Sequence, residues 1–141
     1  MFINTEPLYA SMVEEIKTRI SKLSRTPKLA VVTCQPDPST LSYLKSQEKQ
    51  AKRLGIEFSV YESSKASELK LLLSRLSADT SIDGILLTHP LPKDISELEV
   101  ASMISPEKDV EGRNPLNLGN ILYDHPTFPP CTAQAVMKII N

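Results

Sequence analysis

Tyr43 and Gln47 stand four residues apart in Ser39–Gly55, STLSYLKSQEKQAKRLG. On a helix they lie one turn apart on one face, where a planar substrate can rest on the phenol while the amide hydrogen-bonds its edge. Asp109 and Glu111 are carboxylates separated by one residue, a spacing able to accept paired N–H groups from an amino-substituted heterocycle. His89 follows a β-prone run, and histidine is the side chain suited to proton transfer near neutral pH. Each signal has an ordinary counterpart: a packed tyrosine beside a solvated amide, a charged turn, an exposed histidine. Neither Gly-x-Ser-x-Gly nor His-Glu-x-x-His occurs, so nucleophile-elbow and zincin chemistry have no support. Cys34 and Cys131 lie far apart with no nearby His pair, which signals neither a disulfide framework nor a metal site.

The elements that must hold these groups alternate between strand and helix. Leu8, Met12, Val13, Ile16, Ile20 and Leu23 recur at three and four, predicting an amphipathic helix from Pro7 to Leu23 with Thr5 or Glu6 at its start. Lys28 to Thr33 is a β-prone run that stops at Cys34-Gln35-Pro36-Asp37-Pro38, where proline forbids the interior of either element. In the Ser39 helix, Leu41, Leu44, Ala51 and Leu54 form the apolar stripe, Tyr43, Gln47 and Gln50 share a neighbouring face, and Gly55 suits the position past its end. A second strand from Ile56 to Tyr61 follows. Next come a cap region at Ser63–Ser67, a helix marked by Leu69, Leu72, Leu73 and Leu76, and a buried third strand from Ile82 to Thr88. Ile95, Leu98, Met103 and Ile104 outline one more short helix.

Beyond Pro106 periodicity fades. Lys108 to Asn114 concentrates charge and amides, Asn117-Leu118-Gly119-Asn120 reads as turns, and Thr132 is placed to cap a final helix from Ala133 to Ile140. That pattern predicts an α/β domain over residues 1–141: three layers, with a mostly parallel sheet flanked by helices. Prolines after the first and third strands put rigid loops along one edge of the sheet, and ligands of such folds sit where strands end.

Composition narrows the partners. At 141 residues and 40% hydrophobic, the chain can bury a core as one domain. Sixteen basic residues against seventeen acidic give a net charge of −1, too little to favour nucleic acid. The apolar runs are too short to cross a bilayer, and Met1-Phe2-Ile3-Asn4 lacks a signal peptide's start, so a cytoplasmic protein without a membrane partner is expected. The four glycines have neither Gly-x-Gly-x-x-Gly nor P-loop spacing, so no cofactor cradle is expected in this chain.

The order of several blocks is more specific than any one of them. Asp37-Pro38, Ser42-Tyr43-Leu44-Lys45-Ser46-Gln47, Gly55-Ile56 and Asp83-Gly84-Ile85-Leu86-Leu87 leading to Pro90-Leu91-Pro92 are followed by Pro106 to Gly112, Asn117-Leu118-Gly119 and Pro129-Pro130-Cys131-Thr132. Together these resemble the amino-terminal catalytic domain of the bifunctional methylenetetrahydrofolate dehydrogenase/cyclohydrolase family, FolD, from about Leu8 onward. The resemblance implies an amino-acid-dehydrogenase-like amino-terminal domain of an enzyme of one-carbon metabolism. Such an enzyme oxidises 5,10-methylenetetrahydrofolate with NADP and hydrolyses the methenyl product to 10-formyltetrahydrofolate. It also implies a homodimer and an NADP-binding Rossmann domain beyond residue 141. By the same resemblance Tyr43 stacks on the folate, Glu111 replaces an aspartate that holds the pterin with Asp109 beside it, and Pro90, Leu91 and Pro92 border the substrate.

Three departures from that family pattern bear on the chemistry. Gln47 occupies the position of the catalytic lysine in Tyr-x-x-x-Lys, and Lys45 and Lys49 point away from its face. Thr88 replaces the glutamine before the proline loop, with His89 beside it. Glu111 is one methylene longer than aspartate. Hydride transfer is mainly a matter of positioning, which Tyr43 and Glu111 can still provide. Hydrolysis needs a proton delivered, and losing one acid-base group costs about 10²–10⁴-fold. The expected outcome is a dehydrogenase with weak hydrolysis unless His89 substitutes. A degenerate folate-binding or oligomerisation module and a dehydrogenase for an amino acid or shikimate-like acid are the other readings.

Overall fold

The structure, a computed structural model, describes residues 4–140. Met1, Phe2, Ile3 and Asn141 lie outside the described residues, and with them most of the opening stretch read above for a signal peptide. The elements run α1 (Glu6–Ile20), β1 (Lys28–Cys34), α2 (Pro38–Leu54), β2 (Glu57–Ser63), α3 (Ala66–Ala78), β3 (Gly84–Leu87), α4 (Glu97–Met103), α5 (Pro115–Leu122) and α6 (Cys131–Ile140), with a 3₁₀ turn at Pro106–Lys108. The three strands form one parallel sheet in the order β2-β1-β3. Helices cover both faces, as the strand-helix alternation implies.

Alternation along β1 explains the layers. Ala30 and Val32 point to one face, where Leu69, Leu73 and Leu76 of α3, Val100 of α4 and Ile85 and Leu87 of β3 complete the larger core cluster. Val31 points to the other, against Leu86 and Leu44 of α2. Buried on both faces, β1 and β3 read as continuous apolar runs rather than alternating ones.

Helix α2 is set by its ends. The Asp37 carboxylate accepts the Thr40 N–H at 2.7 Å and the Ser39 hydroxyl at 2.8 Å, Pro38 occupies the first turn, and Gly55 closes the helix at φ 80°. Its stripe differs from expectation at Leu41, which is exposed; Thr40 is buried instead, its hydroxyl donating to the His89 carbonyl at 2.8 Å. Gln50 accepts the Tyr9 hydroxyl of α1 at 2.8 Å, so that amide ties two helices together.

Two further expectations are corrected. Asn117-Leu118-Gly119-Asn120 lies inside α5, not in turns: Asn114 caps that helix by accepting the Leu116 N–H at 2.8 Å, and Pro115 opens it. Helix α6 begins at Cys131, which places Thr132 within its first turn rather than at its cap. No described helix is long and apolar enough to cross a membrane.

Candidate functional site

A cleft of about 280 Å³ opens where β1 and β3 end. Ser39, Thr40 and Tyr43 reach it from α2, Leu86, Leu87, Thr88 and His89 from the end of β3, and Glu111 from the bend after the 3₁₀ turn. The parallel sheet makes this convergence inevitable, since every strand delivers its carboxyl end to the same edge. The Thr40–His89 hydrogen bond closes α2 onto the β3 loop, whose His89–Pro90 peptide is cis.

The bend carrying Glu111 is built by its neighbours. Lys108 Nζ donates to the carbonyls of Leu76 at 3.3 Å, Ser77 at 2.7 Å and Asp79 at 2.7 Å, a cation at the carbonyl end of α3. Asp109 bridges to Ile85 beside β3, and its buried carboxylate accepts the Asn114 N–H at 2.7 Å and Asn117 Nδ2 at 3.0 Å. Asn114 Nδ2 donates in turn to the Ile104 carbonyl at 2.8 Å and the Ala101 carbonyl at 3.2 Å. Gly112 sits at φ 68°, and a Cβ there would lie 2.5 Å from the Phe128 carbonyl oxygen, so only glycine fits. The Cys131 N–H donates to the Glu111 carbonyl at 3.4 Å, fastening the start of α6 to the bend.

Electrostatics mark Glu111 and Tyr43. Burial pushes the Glu111 carboxyl above the usual glutamate range; Arg113 and His89 pull against that rise, and Asp109 adds to it. Burial also raises the Tyr43 phenol, with Glu111 and the Cys131 thiol contributing. The phenol therefore stays a hydrogen-bond donor at neutral pH.

The structure thus brings Tyr43, Thr88, His89 and Glu111 to one cleft. Gln47, a turn further along α2, is partly buried and does not line it. Asp109, expected to bind substrate with Glu111, instead holds the bend. Pro90, Leu91 and Pro92 shape the loop without lining the cleft, and Leu91 packs against the core. Thr88 is buried, its N–H donating to the Val32 carbonyl at 2.9 Å.

Sequence reasoning missed Arg113 and Glu97. Arg113 Nη1 lies 3.0 Å from His89 Nε2 and 3.6 Å from Glu111 Oε2, Nη2 bonds Glu97 Oε2, and Glu97 Oε1 lies 3.3 Å from His89 Nδ1. A guanidinium only donates, so His89 Nε2 accepts and the ring hydrogen resides on Nδ1, facing Glu97. Both ring nitrogens are therefore engaged. The local charge of Glu111-Gly112-Arg113 was visible in the sequence, but Arg113's partner Glu97, sixteen residues away, meets it only through the fold.

The family described as "Tetrahydrofolate dehydrogenase/cyclohydrolase, catalytic domain" matches residues 3–111. Among proteins similar to this chain, a "Bifunctional protein FolD" from Fervidobacterium nodosum is 72% identical and one from Thermotoga maritima 46% identical, each over all 141 residues. The chain spans about half the length of these curated relatives, 52% in both cases. The crystal structure of the bifunctional FolD of Campylobacter jejuni superposes with a TM-score of 0.92 at 31% identity, covering 99% of this chain and 52% of that one. The Trypanosoma brucei methylenetetrahydrofolate dehydrogenase-cyclohydrolase, solved with NADP cofactor and inhibitor, superposes with a TM-score of 0.87 at 25% identity over 99% and 50%.

Proposed function

This chain belongs to the tetrahydrofolate dehydrogenase/cyclohydrolase family, and from that premise we propose that it is the folate-binding part of an enzyme oxidising 5,10-methylenetetrahydrofolate with NADP. The observation that carries the reading is the convergence of the Tyr43 phenol and the Glu111 carboxylate on one cleft at the strand ends. Tyr43 offers a ring face to a flat pterin, and Glu111 offers two oxygens to its amino and ring N–H groups. A reduced pterin is a heterocycle of that shape and donor pattern.

The glycines do not fit a dinucleotide. Gly55 ends α2, Gly84 lies in β3, Gly112 lies in the bend and Gly119 lies within α5, so none opens a phosphate-binding turn between strand and helix. NADP belongs, on this reading, to a Rossmann domain in the other half of the enzyme's length, and the whole enzyme acts as a cytoplasmic homodimer. Alone, this chain binds folate weakly and transfers no hydride.

The hydrolytic step is the weak one. Glutamine at position 47 carries no transferable proton, and the His89 ring is engaged on both sides by Arg113 and Glu97. In the full-length enzyme, oxidation proceeds while hydrolysis of the methenyl product is slow; Gln47→Lys raises hydrolysis by roughly 10²-fold and leaves oxidation within a few-fold. Fast hydrolysis by the unaltered enzyme would overturn this. A catalytically silent folate-binding or oligomerisation module is the second reading, favoured by the changes at Gln47, Thr88 and Glu111. Assay of full-length oxidation, which a silent module lacks, separates the two.

A further inference from the structure

Arg113 is the group the folate reading leaves unexplained. Its side chain is about two-thirds buried, with an exposure of 35%, and its guanidinium lies between two carboxylates and an imidazole. An arginine placed only for solubility would extend into water. This one turns toward the cleft, where two of its three partners, His89 and Glu111, form part of the lining.

We propose that Arg113 is a positioning residue for Glu111, holding that carboxylate ionised and aimed into the cleft, while Glu97 and His89 fix the guanidinium from behind. The proposal rests on the folate reading only for what Glu111 then binds. Three observations support it. Arg113 Nη1 lies within reach of Glu111 Oε2 at 3.6 Å, close enough for attraction while the oxygen keeps room for a ligand N–H. Glu97 takes the other guanidinium nitrogen, which prevents Arg113 from closing a bidentate pair with Glu111 and removing both oxygens from the cleft. His89 presents Nε2 to the first nitrogen and Nδ1 to Glu97, so the ring braces the pair.

The groups facing Glu111 are Arg113 beyond Gly112 in the same bend, Asp109 on its other side, His89 from the β3 loop and Tyr43 from α2, with the Cys131 thiol near that phenol. Of these, only Arg113 carries a fixed positive charge. Burial alone favours a protonated Glu111, and a protonated carboxyl loses one of the two acceptors that a paired N–H edge requires. Arg113 opposes that loss.

The experiment reads the carboxyl directly. Carbon-13 label at glutamate Cδ follows Glu111 by NMR from pH 3 to pH 9 (roughly the span over which carboxyls titrate) in the unaltered chain, Arg113→Gln, Arg113→Lys and, for assignment, Glu111→Gln. The expected result is a titration midpoint displaced upward in Arg113→Gln and restored in Arg113→Lys. An unchanged midpoint in a folded Arg113→Gln overturns the proposal. If that variant fails to fold, Glu97→Gln gives a second route: releasing the guanidinium toward Glu111 moves the midpoint down, and no movement overturns the proposal equally.

Adding 5-formyltetrahydrofolate separates this inference from the reading beneath it. The affinity gap between the unaltered chain and Arg113→Gln should widen on acidification to about tenfold and close at high pH. A uniform loss at all pH values marks a purely structural arginine and counts against the proposal. Failure of the probe to shift the Tyr43 and Glu111 signals overturns the folate reading, while the carboxyl titration still decides the role of Arg113.

Discussion

Glu111 carries opposed demands. On the folate reading, ligand binding asks for a charged carboxylate in a partly buried place, and folding stability favours a neutral one there. Because burial raises its pKa in the folded chain, the folded state holds the proton more tightly than the unfolded one. The stability contributed by that proton is complete below the ordinary glutamate range and is lost as pH rises through the folded-state value. Glu111→Gln removes this dependence. The variant should therefore be more stable than the unaltered chain near pH 8, the difference shrinking toward zero below pH 4, as roughly expected for a carboxyl titrating between. Denaturant unfolding at several pH values checks this, and a variant less stable at pH 8 would refute it. The same change should weaken 5-formyltetrahydrofolate binding by about tenfold or more, since a charge-assisted acceptor is gone. Tyr43 makes a different contribution: Tyr43→Leu removes the ring face without touching charge, so its loss of affinity should be the same at every pH.

The elements explain why some of this was legible in the sequence and some was not. Helix α2 announced its end through Gly55, because left-handed closure is a local requirement, whereas the Asp37 cap at its start emerges only in the structure. The buried strands were legible because both faces are covered. Helix α5 was hidden because Asn117 and Gly119 are turn formers by propensity; here the Asn117 amide is buried and donates to Pro106 and Asp109, a tertiary demand that overrides the local one. Asp109 shows the same override: two carboxylates one residue apart look equivalent in sequence, yet Asn114 and Asn117 both donate to Oδ2 of this one. Arg113 needed the fold, since its partner Glu97 comes from α4. The bend is consequently the element most sensitive to substitution. Gly112→Ala sets a methyl against the Phe128 carbonyl at positive φ, and should cost about 2–4 kcal/mol and abolish binding. Asn114→Ala removes a helix cap and two buried donors, costing about 2–3 kcal/mol. Thermal unfolding checks each, and a variant that melted with the unaltered chain would refute its own expectation.

At the scale of the whole molecule, burial is unevenly distributed, and that sets where the chain opens first. Ala30, Val31 and Val32 of the central strand have no exposed surface, and both core clusters meet on them. Helix α6 has no buried residue, and Val136, Met137 and Ile140 are more than half exposed. Its attachment to the rest runs through its first turn, where the Cys131 N–H meets the Glu111 carbonyl and Gln134 Nε2 donates to the Pro129 carbonyl at 2.8 Å. Amides of β1 should then exchange with solvent only by global unfolding, while those from Val136 to Ile140 exchange by local opening at least about a thousandfold faster. Filling the cleft should slow exchange at Gly112 and Cys131, because a ligand on Glu111 stiffens the bend to which α6 is fastened. It should leave the last turn of α6 unchanged, since nothing there touches the cleft. Hydrogen exchange with and without 5-formyltetrahydrofolate measures both effects, and protection of the last turn equal to that of β1 would show that α6 is held by more than its first turn.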